Sequence, residues 1–260
     1  MALCIEAACI CNIGKIRKNN EDNFLFDGQS LDAINDGLKS PLTTKKELLR
    51  EIHFAVFDGM GGENYGELAS YAAADFLKNY SKTISEYFLP KTRNLTNLCR
   101  KMNAAVVRKE KELLTERMGS TVVGLCFTRH YVYSYNLGDS RAYRLRAGIL
   151  SQLSVDHVEK RDGQKNKKAP LTQHLGIDPE RYLLEPYIQM EKLQDGDTFL
   201  LCSDGLTDML SDSEICEIIS LNESVDISAQ KLLDSALEKG GRDNVTVILC
   251  RVEKSIPEST

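Results

Sequence analysis

The stretch EIHFAVFDGMGG, residues 51–62, runs a short apolar segment into a carboxylate and three glycines. Ile52, Phe54, Ala55, Val56 and Phe57 read as a strand covered on both faces, which holds Asp58 at the rim of a core. Gly59, Gly61 and Gly62 let the backbone turn tightly and approach a ligand with no Cβ in the way. A fixed carboxylate beside an exposed main-chain carbonyl suits a hard divalent cation, which takes oxygen ligands. Taken alone, a strand ending in Asp-Gly is more often a plain turn. Three other acidic stretches share its grammar: Arg17-Lys18-Asn19-Asn20-Glu21-Asp22-Asn23 after Gly14, Asp204-Gly205 after the apolar run 199–202, and Asp243-Asn244 between a glycine pair and the apolar run 245–250. Carboxylates clustered without cations raise one another's pKa and cost folding energy. Arg17 is the one strongly placed base among them, and its rigid fork can hold two phosphoryl oxygens.

These residues need elements to position them. Residues 4–10 predict a first strand and 24–26 a short second one. Residues 28–44, rich in Gly, Pro, Ser, Asn and Asp, read as a surface loop or insertion before the central strand. Leu68, Ala72 and Phe76, beside Ala69, Ala73 and Leu77, give a helix over 63–79 a broad apolar face. A second helix follows Pro90, with Leu95, Leu98, Cys99, Met102, Ala105 and Val106 on one stripe and a solvated face carrying Lys109, Glu110, Lys111 and Glu112. Residues 121–128, 131–136, 141–146 and 149–153 are short β-branched and aromatic runs separated by turn signals, and predict an antiparallel meander. Strands at 187–192, 198–202 and 245–250 and helices at 213–220 and 225–237 complete the pattern, which by itself reaches only a mixed, mostly antiparallel α/β layering.

At 260 residues the chain can bury one substantial core. Its 38 acidic against 33 basic residues give no general basic field, so a nucleic-acid backbone is a poor partner. No apolar segment approaches the roughly 20 residues of a membrane helix, and no leader pattern opens the chain, so a soluble, cytoplasmic protein is expected. Most of the eight cysteines lie in apolar runs, and Cys9 and Cys11 lack a matching Cys or His pair, so the expectation is buried thiols and no zinc.

In order, and from about Gly14 to Leu249, the segments GKIRKNNEDN, VFDGMGG, MGSTVVGLCF, NLGDSRAYRLR, LSVDH, LLCSDGLTD and GGRDNVTVIL resemble the signatures of the PPM or PP2C-type metal-dependent protein serine/threonine phosphatases. The DGMGG form marks the bacterial subtype. The resemblance implies an α+β fold, a four-layer α-β-β-α sandwich of two antiparallel sheets flanked by helices, as a single catalytic domain over 1–260 with a surface loop at 28–44 and a flap at about 158–185. It implies water attack on phosphoserine and phosphothreonine, with two Mn2+ or Mg2+ ions and a third in some relatives. Asp58 is expected to bridge the two ions, with Gly59 adding a main-chain carbonyl. Asp22, Asp204 and Asp243 are further metal ligands, and Arg17 is catalytic as the phosphate-binding residue. Glu21 and Asn244 are supporting residues, Asn244 by orienting Asp243, and Glu116 stands near the place of a third-metal ligand, where relatives carry Asp. The implied partners are phosphoserine and phosphothreonine proteins, a cognate Ser/Thr kinase among them, with a monomer acting on them and neither nucleic acid nor membrane engaged.

One departure concerns the general acid. Eukaryotic members carry His where this chain has Met60, and a thioether has no proton to donate, so the acid must be water or another group. His174, in the flap, is the one histidine placed near substrate; His53 reads as a core or sheet-edge residue, His130 as part of a hairpin turn and His157 as a structural hydrogen-bonding residue. Two other classes share parts of the pattern. A phosphopeptide-binding pseudophosphatase would keep the fold without turnover, against which stands the complete set Asp22, Asp58, Asp204 and Asp243. A two-metal nuclease would use the same carboxylates, but the chain has no basic track.

Overall fold

The computed structural model describes residues 3–60, 65–80, 83, 86, 88–115, 118–159 and 169–255. Two antiparallel sheets stack face to face. The first contains β1 (Leu3–Asn12), β3 (Leu42–Glu47), β8 (Arg141–Arg146), β9 (Ile149–Gln152), β11 (Thr198–Cys202) and β12 (Val245–Lys254), in the order β3-β1-β12-β11-β8-β9. The second runs β10-β7-β6-β4-β2, from β2 (Asp22–Leu25), β4 (Ile52–Met60), β6 (Val122–Phe127), β7 (Tyr131–Leu137) and β10 (Tyr187–Lys192), with the two-residue β5 (Gly119–Ser120) paired to the end of β4. Helices α1 (Gly66–Lys78) and α2 (Lys91–Glu112) cover the second sheet; α3 (Asp204–Thr207), α4 (Asp212–Ser220) and α5 (Val225–Glu238) lie on the first. The architecture is the expected α-β-β-α sandwich.

The central strand explains the layering. Phe54 and Val56 point between the sheets, among Ile5, Phe24, Phe26, Val123, Phe127 and Phe199, while Ala55 and Phe57 point at α1 and α2. Each large apolar side chain fully buried this way contributes about 1.5–3 kcal/mol. On α1 the buried stripe is Ala69, Ala73, Ala74 and Leu77, small enough to seat the helix close to the sheet, with Leu68, Ala72 and Phe76 flanking it half-buried. The predicted apolar stripe of α2 is buried in full. A capping box, Ser211 with Glu214, starts α4.

Two expectations change. The four runs from 121 to 153 are not one meander: β6 pairs β7, but β8 pairs β11 and β9 in the other sheet. Gly138-Asp139-Ser140 is therefore the crossover between sheets, and Gly138 takes φ +103°, a conformation open to glycine. The segment 28–44 ends in a strand, since β3 begins at Leu42 and pairs β1 along the sheet edge.

Candidate metal centre and phosphate site

The carboxylates gather at one end of the sandwich because the strands that carry them end there. Asp22 opens β2 and lies directly opposite Asp58 on β4. Asp204 starts α3, immediately after β11, and Asp243 precedes β12. Asp58 and Asp204 line one cleft of about 280 Å3 together with Met60, Thr121, Asp139, Ala169, Pro170 and Leu171. Larger hollows exist, about 390 Å3 between α1 and α2 and about 570 Å3 beside the flap, so the chemistry of the lining, more than size, marks this cleft.

Asp22 is 1% exposed. Its Oδ2 accepts hydrogen bonds from Ser203 Oγ at 2.7 Å and Thr246 Oγ1 at 2.6 Å. Its Oδ1 is buried with no hydrogen-bond partner among the described residues. Burial pushes the Asp22 pKa up, the two hydroxyls pull it back, and Asp243 and Glu21 add to the rise. A buried carboxylate oxygen without a donor, opposite a second carboxylate, fits a hard divalent cation.

Asp58 is held through its backbone. Its N–H donates to Thr121 Oγ1 at 3.1 Å, and its carbonyl accepts from the Thr121 N–H at 2.8 Å. Thr121 Oγ1 in turn lies 2.7 Å from Ser140 Oγ, so the crossover serine braces the metal strand. The next residue has no room for a side chain: a Cβ on Gly59 would sit 2.0 Å from the Gly66 carbonyl oxygen and 2.6 Å from that of Glu21. The Gly59 N–H donates to that Glu21 carbonyl at 3.0 Å, so β4, α1 and the first acidic loop touch backbone to backbone.

Arg17 donates from Nη2 to Asp243 Oδ2 at 2.7 Å, and its Nη1 stands 4.0 Å from Glu21 Oε2. The bond to Asp243 raises the Arg17 pKa, with Glu21 and Asp58 adding to it. The Arg17 side chain is 47% exposed and lies at the edge of the acidic cluster. Burial raises the Glu21 pKa, and Glu67 and Asp243 act in the same direction. Asn244 does more than orient Asp243. Its N–H holds Asp243 Oδ1 at 2.9 Å, while its side chain accepts from the Glu21 N–H at 2.8 Å and donates to the carbonyls of Ile13 and Asn19. The acidic loop and the Asp243 turn are thereby fixed to each other. Glu116, Gly61, Gly62 and the basic flap residues 161–168 lie outside the described residues.

A match to the family "Protein phosphatase 2C" covers residues 42–239. The chain belongs to the protein phosphatase 2C family. It is 30% identical over 264 residues to the serine/threonine phosphatase stp of Listeria innocua, covering 94% of this chain and 93% of that one. It is equally similar, 30% over 263 residues, to the serine/threonine protein phosphatase PstP of Mycobacterium tuberculosis, of which it covers 46%. Among solved structures, the catalytic domain of PstP in complex with two manganese ions superposes with a TM-score of 0.75 at 28% identity, over 97% of this chain and 100% of that one. PppA of Pseudomonas aeruginosa gives a TM-score of 0.75 at 26% identity, over 95% and 97%.

In this protein phosphatase 2C chain the carboxylates announced themselves in the sequence, but the hydroxyls that hold them did not. Thr121, Ser203 and Thr246 each fall inside a recognisable segment, after Gly119-Ser120, before Asp204 and two residues past Asn244. Ser203, directly before Asp204, carries a signal that could have found it, whereas Thr121 and Thr246 stand next to no motif Asp. Met60 lines the cleft, and a Cβ on Gly119 would lie 3.1 Å from Met60 Cε and 3.0 Å from His174 Nδ1. Met60 and His174 thus both border Gly119, and burial lowers the His174 pKa. His157 makes the structural bond expected of it, accepting at Nδ1 from the Gly138 N–H at 3.3 Å.

Proposed function

We propose that this protein phosphatase 2C chain hydrolyses phosphoserine and phosphothreonine in proteins at the Asp58–Asp204 cleft, with two Mn2+ or Mg2+ ions held by Asp22, Asp58, Asp204, Asp243 and the Gly59 carbonyl. A cognate Ser/Thr kinase, itself a phosphoprotein, falls within that substrate class. The observation that carries the reading is the buried Asp22 carboxylate opposite Asp58, with one oxygen braced by Ser203 and Thr246 and the other without a donor among the described residues. Bound divalent cations supply activation of water and charge neutralisation at the phosphoryl oxygens. The chain's own residues supply placement. Thr121 and Ser140 fix the Asp58 backbone, Asn244 locks the acidic loop to the Asp243 turn, and Arg17 offers a planar fork to two phosphoryl oxygens at the rim. Met60 has no titratable proton, so it shapes the cleft and leaves protonation of the departing alkoxide to water or to a neighbouring group.

The test is phosphate release from a phosphothreonine peptide and from a phosphotyrosine peptide, with Mn2+ and then with excess chelator. Turnover of the phosphothreonine peptide that stops on chelation and returns with Mn2+ is expected. Undiminished turnover after complete metal removal, or equal rates on both peptides, would overturn the reading.

A further inference from the structure

A second group of ligating side chains lies well away from the aspartates. Glu51, His53 and Cys126 each present a ligand atom, and the three atoms lie within 4.8 Å of one another. His53 precedes Asp58 on β4 by five residues, so roughly 16 Å of strand separates the two places. The cluster is built by sheet register. His53 sits directly across from Cys126 on β6, and Glu51, two residues before His53, shares its face. That face is the helix-covered one, where Cys126 packs with Ala55, Phe57 and Leu95.

The three donors are graded in depth. Cys126 is fully buried, His53 is 18% exposed and Glu51 is 31% exposed, so sulfur, nitrogen and oxygen run from the interior to the rim. His53 Nε2 is 3.8 Å from Glu51 Oε2, while its Nδ1 is buried with no hydrogen-bond partner among the described residues. Two neighbours share the place. Lys91 at the start of α2 pairs with the other Glu51 oxygen, and Tyr133 on β7 stands opposite Cys126. We propose that Glu51, His53 and Cys126 form a thiolate-containing site for one zinc-type divalent cation, distinct from the phosphatase centre, which ties β4 to β6 under the start of α2.

The chemistry selects the ion. A set of one S, one N and one O suits a borderline cation and not the hard ions of an all-carboxylate centre. Zinc bonds of about 2.0–2.3 Å in a tetrahedron put ligand atoms roughly 3.3–3.8 Å apart. The 3.8 Å between His53 Nε2 and Glu51 Oε2 already falls in that range, the remaining separations, at most 4.8 Å, close by up to about an ångström, and water fills the fourth position. Burial disfavours the imidazolium of His53, but Cys126 and Glu51 outweigh it and raise the pKa to about 9. A cation takes neutral imidazole from His53 and thiolate from Cys126, so binding releases the protons those two groups carry to solvent. The Lys91 ammonium opposes the cation, so Lys91→Met should tighten binding.

Cobalt(II) reports the site without relying on turnover, because a thiolate–cobalt charge-transfer band cannot arise from an oxygen-only centre. Metal-free full-length protein is titrated with Co2+ in the presence of Mn2+, then with Zn2+. One equivalent of the band, displaced by Zn2+, absent in Cys126→Ser and needing at least about tenfold more Co2+ in His53→Gln, is expected. Mn2+-dependent turnover by His53→Gln should stay close to that of the parent. Absence of the band at saturating Co2+, or its persistence in Cys126→Ser, overturns the proposal. Should the buried Cys126→Ser change prevent folding, His53→Gln and Lys91→Met decide, since unaltered Co2+ affinity in both would equally overturn it.

Discussion

Thr246 offers the sharpest probe of the aspartate centre, because it is fully buried, lies outside the proposed ligand set, and donates to Asp22 Oδ2 at only 2.6 Å. Thr246→Val keeps the volume and removes the hydroxyl. A hydrogen bond to a charged group is worth about 1.5–3 kcal/mol, and the Ser203 bond at 2.7 Å remains. The carboxylate should bind cations about tenfold to a hundredfold more weakly, the range seen when a supporting hydrogen bond behind a metal ligand is lost. The sign of the pH effect follows from the same bond. Burial already raises the Asp22 pKa and the two hydroxyls lower it, so losing one raises it further. A proton then competes more strongly with the cation, and the penalty grows as pH falls. The assay is the Mn2+ concentration for half-maximal phosphopeptide hydrolysis at about pH 8 and about pH 6, beside the metal-induced rise in melting temperature. The deficit should be larger at the lower pH, Thr246→Ser should recover most of it, and kcat at saturating Mn2+ should approach the parental value. Half-saturation within about twofold of the parent at both pH values would refute the hydrogen-bond argument.

Gly59→Ala places a methyl 2.0 Å from a backbone oxygen and should destabilise the fold by at least about 1–3 kcal/mol, read by urea denaturation; an unchanged midpoint would mean that α1 shifts freely. Arg17→Ala should raise KM for a phosphopeptide more than it lowers kcat if Arg17 binds ground-state phosphate, and an unchanged kcat/KM would remove Arg17 from the site. In metal-free protein, protonated His53 contributes stability that is fully present below its unfolded value of about 6.5 and is lost as pH rises through about 9. The stability difference between parent and His53→Gln should accordingly shrink across that window, and a difference that does not change with pH would contradict the raised pKa.

What the sequence disclosed depends on whether the determining interaction is local. Asp58, Asp204 and Asp243 stand where an apolar run meets a turn, a pattern written in consecutive residues and therefore legible, and Asp58 and Asp204 line one cleft. The Gly138-Asp139-Ser140 turn was legible as a turn, but a turn signal does not say which sheet accepts the next strand; β8 pairs with β11, about fifty residues later, on side-chain packing that no local pattern encodes. Strand β3 was hidden for a different reason. It is an edge strand of Thr, Lys and Glu, mostly exposed, with no apolar alternation to report it. The cluster of Glu51, His53 and Cys126 was invisible because His53 and Cys126 meet only through cross-strand register, and search by Cys and His spacing finds nothing at that separation.

The aspartate centre also shows why its parts belong together. Asp22 and Asp58 face each other across a strand pair, where like charges are destabilising. Ser203 and Thr246 offset part of that cost on one oxygen of Asp22, and a proton or a cation must answer for the rest. Arg17 bears on the same account from outside, since it is engaged with Asp243 at 2.7 Å. An arginine cannot grip a carboxylate and a phosphoryl group with the same N–H groups. Turning the whole fork to the substrate would release Asp243, and the proposed divalent ion would then be its positive partner. Metal occupancy and phosphate binding are then linked through one shared aspartate, and the linkage requires each to strengthen the other by the same factor.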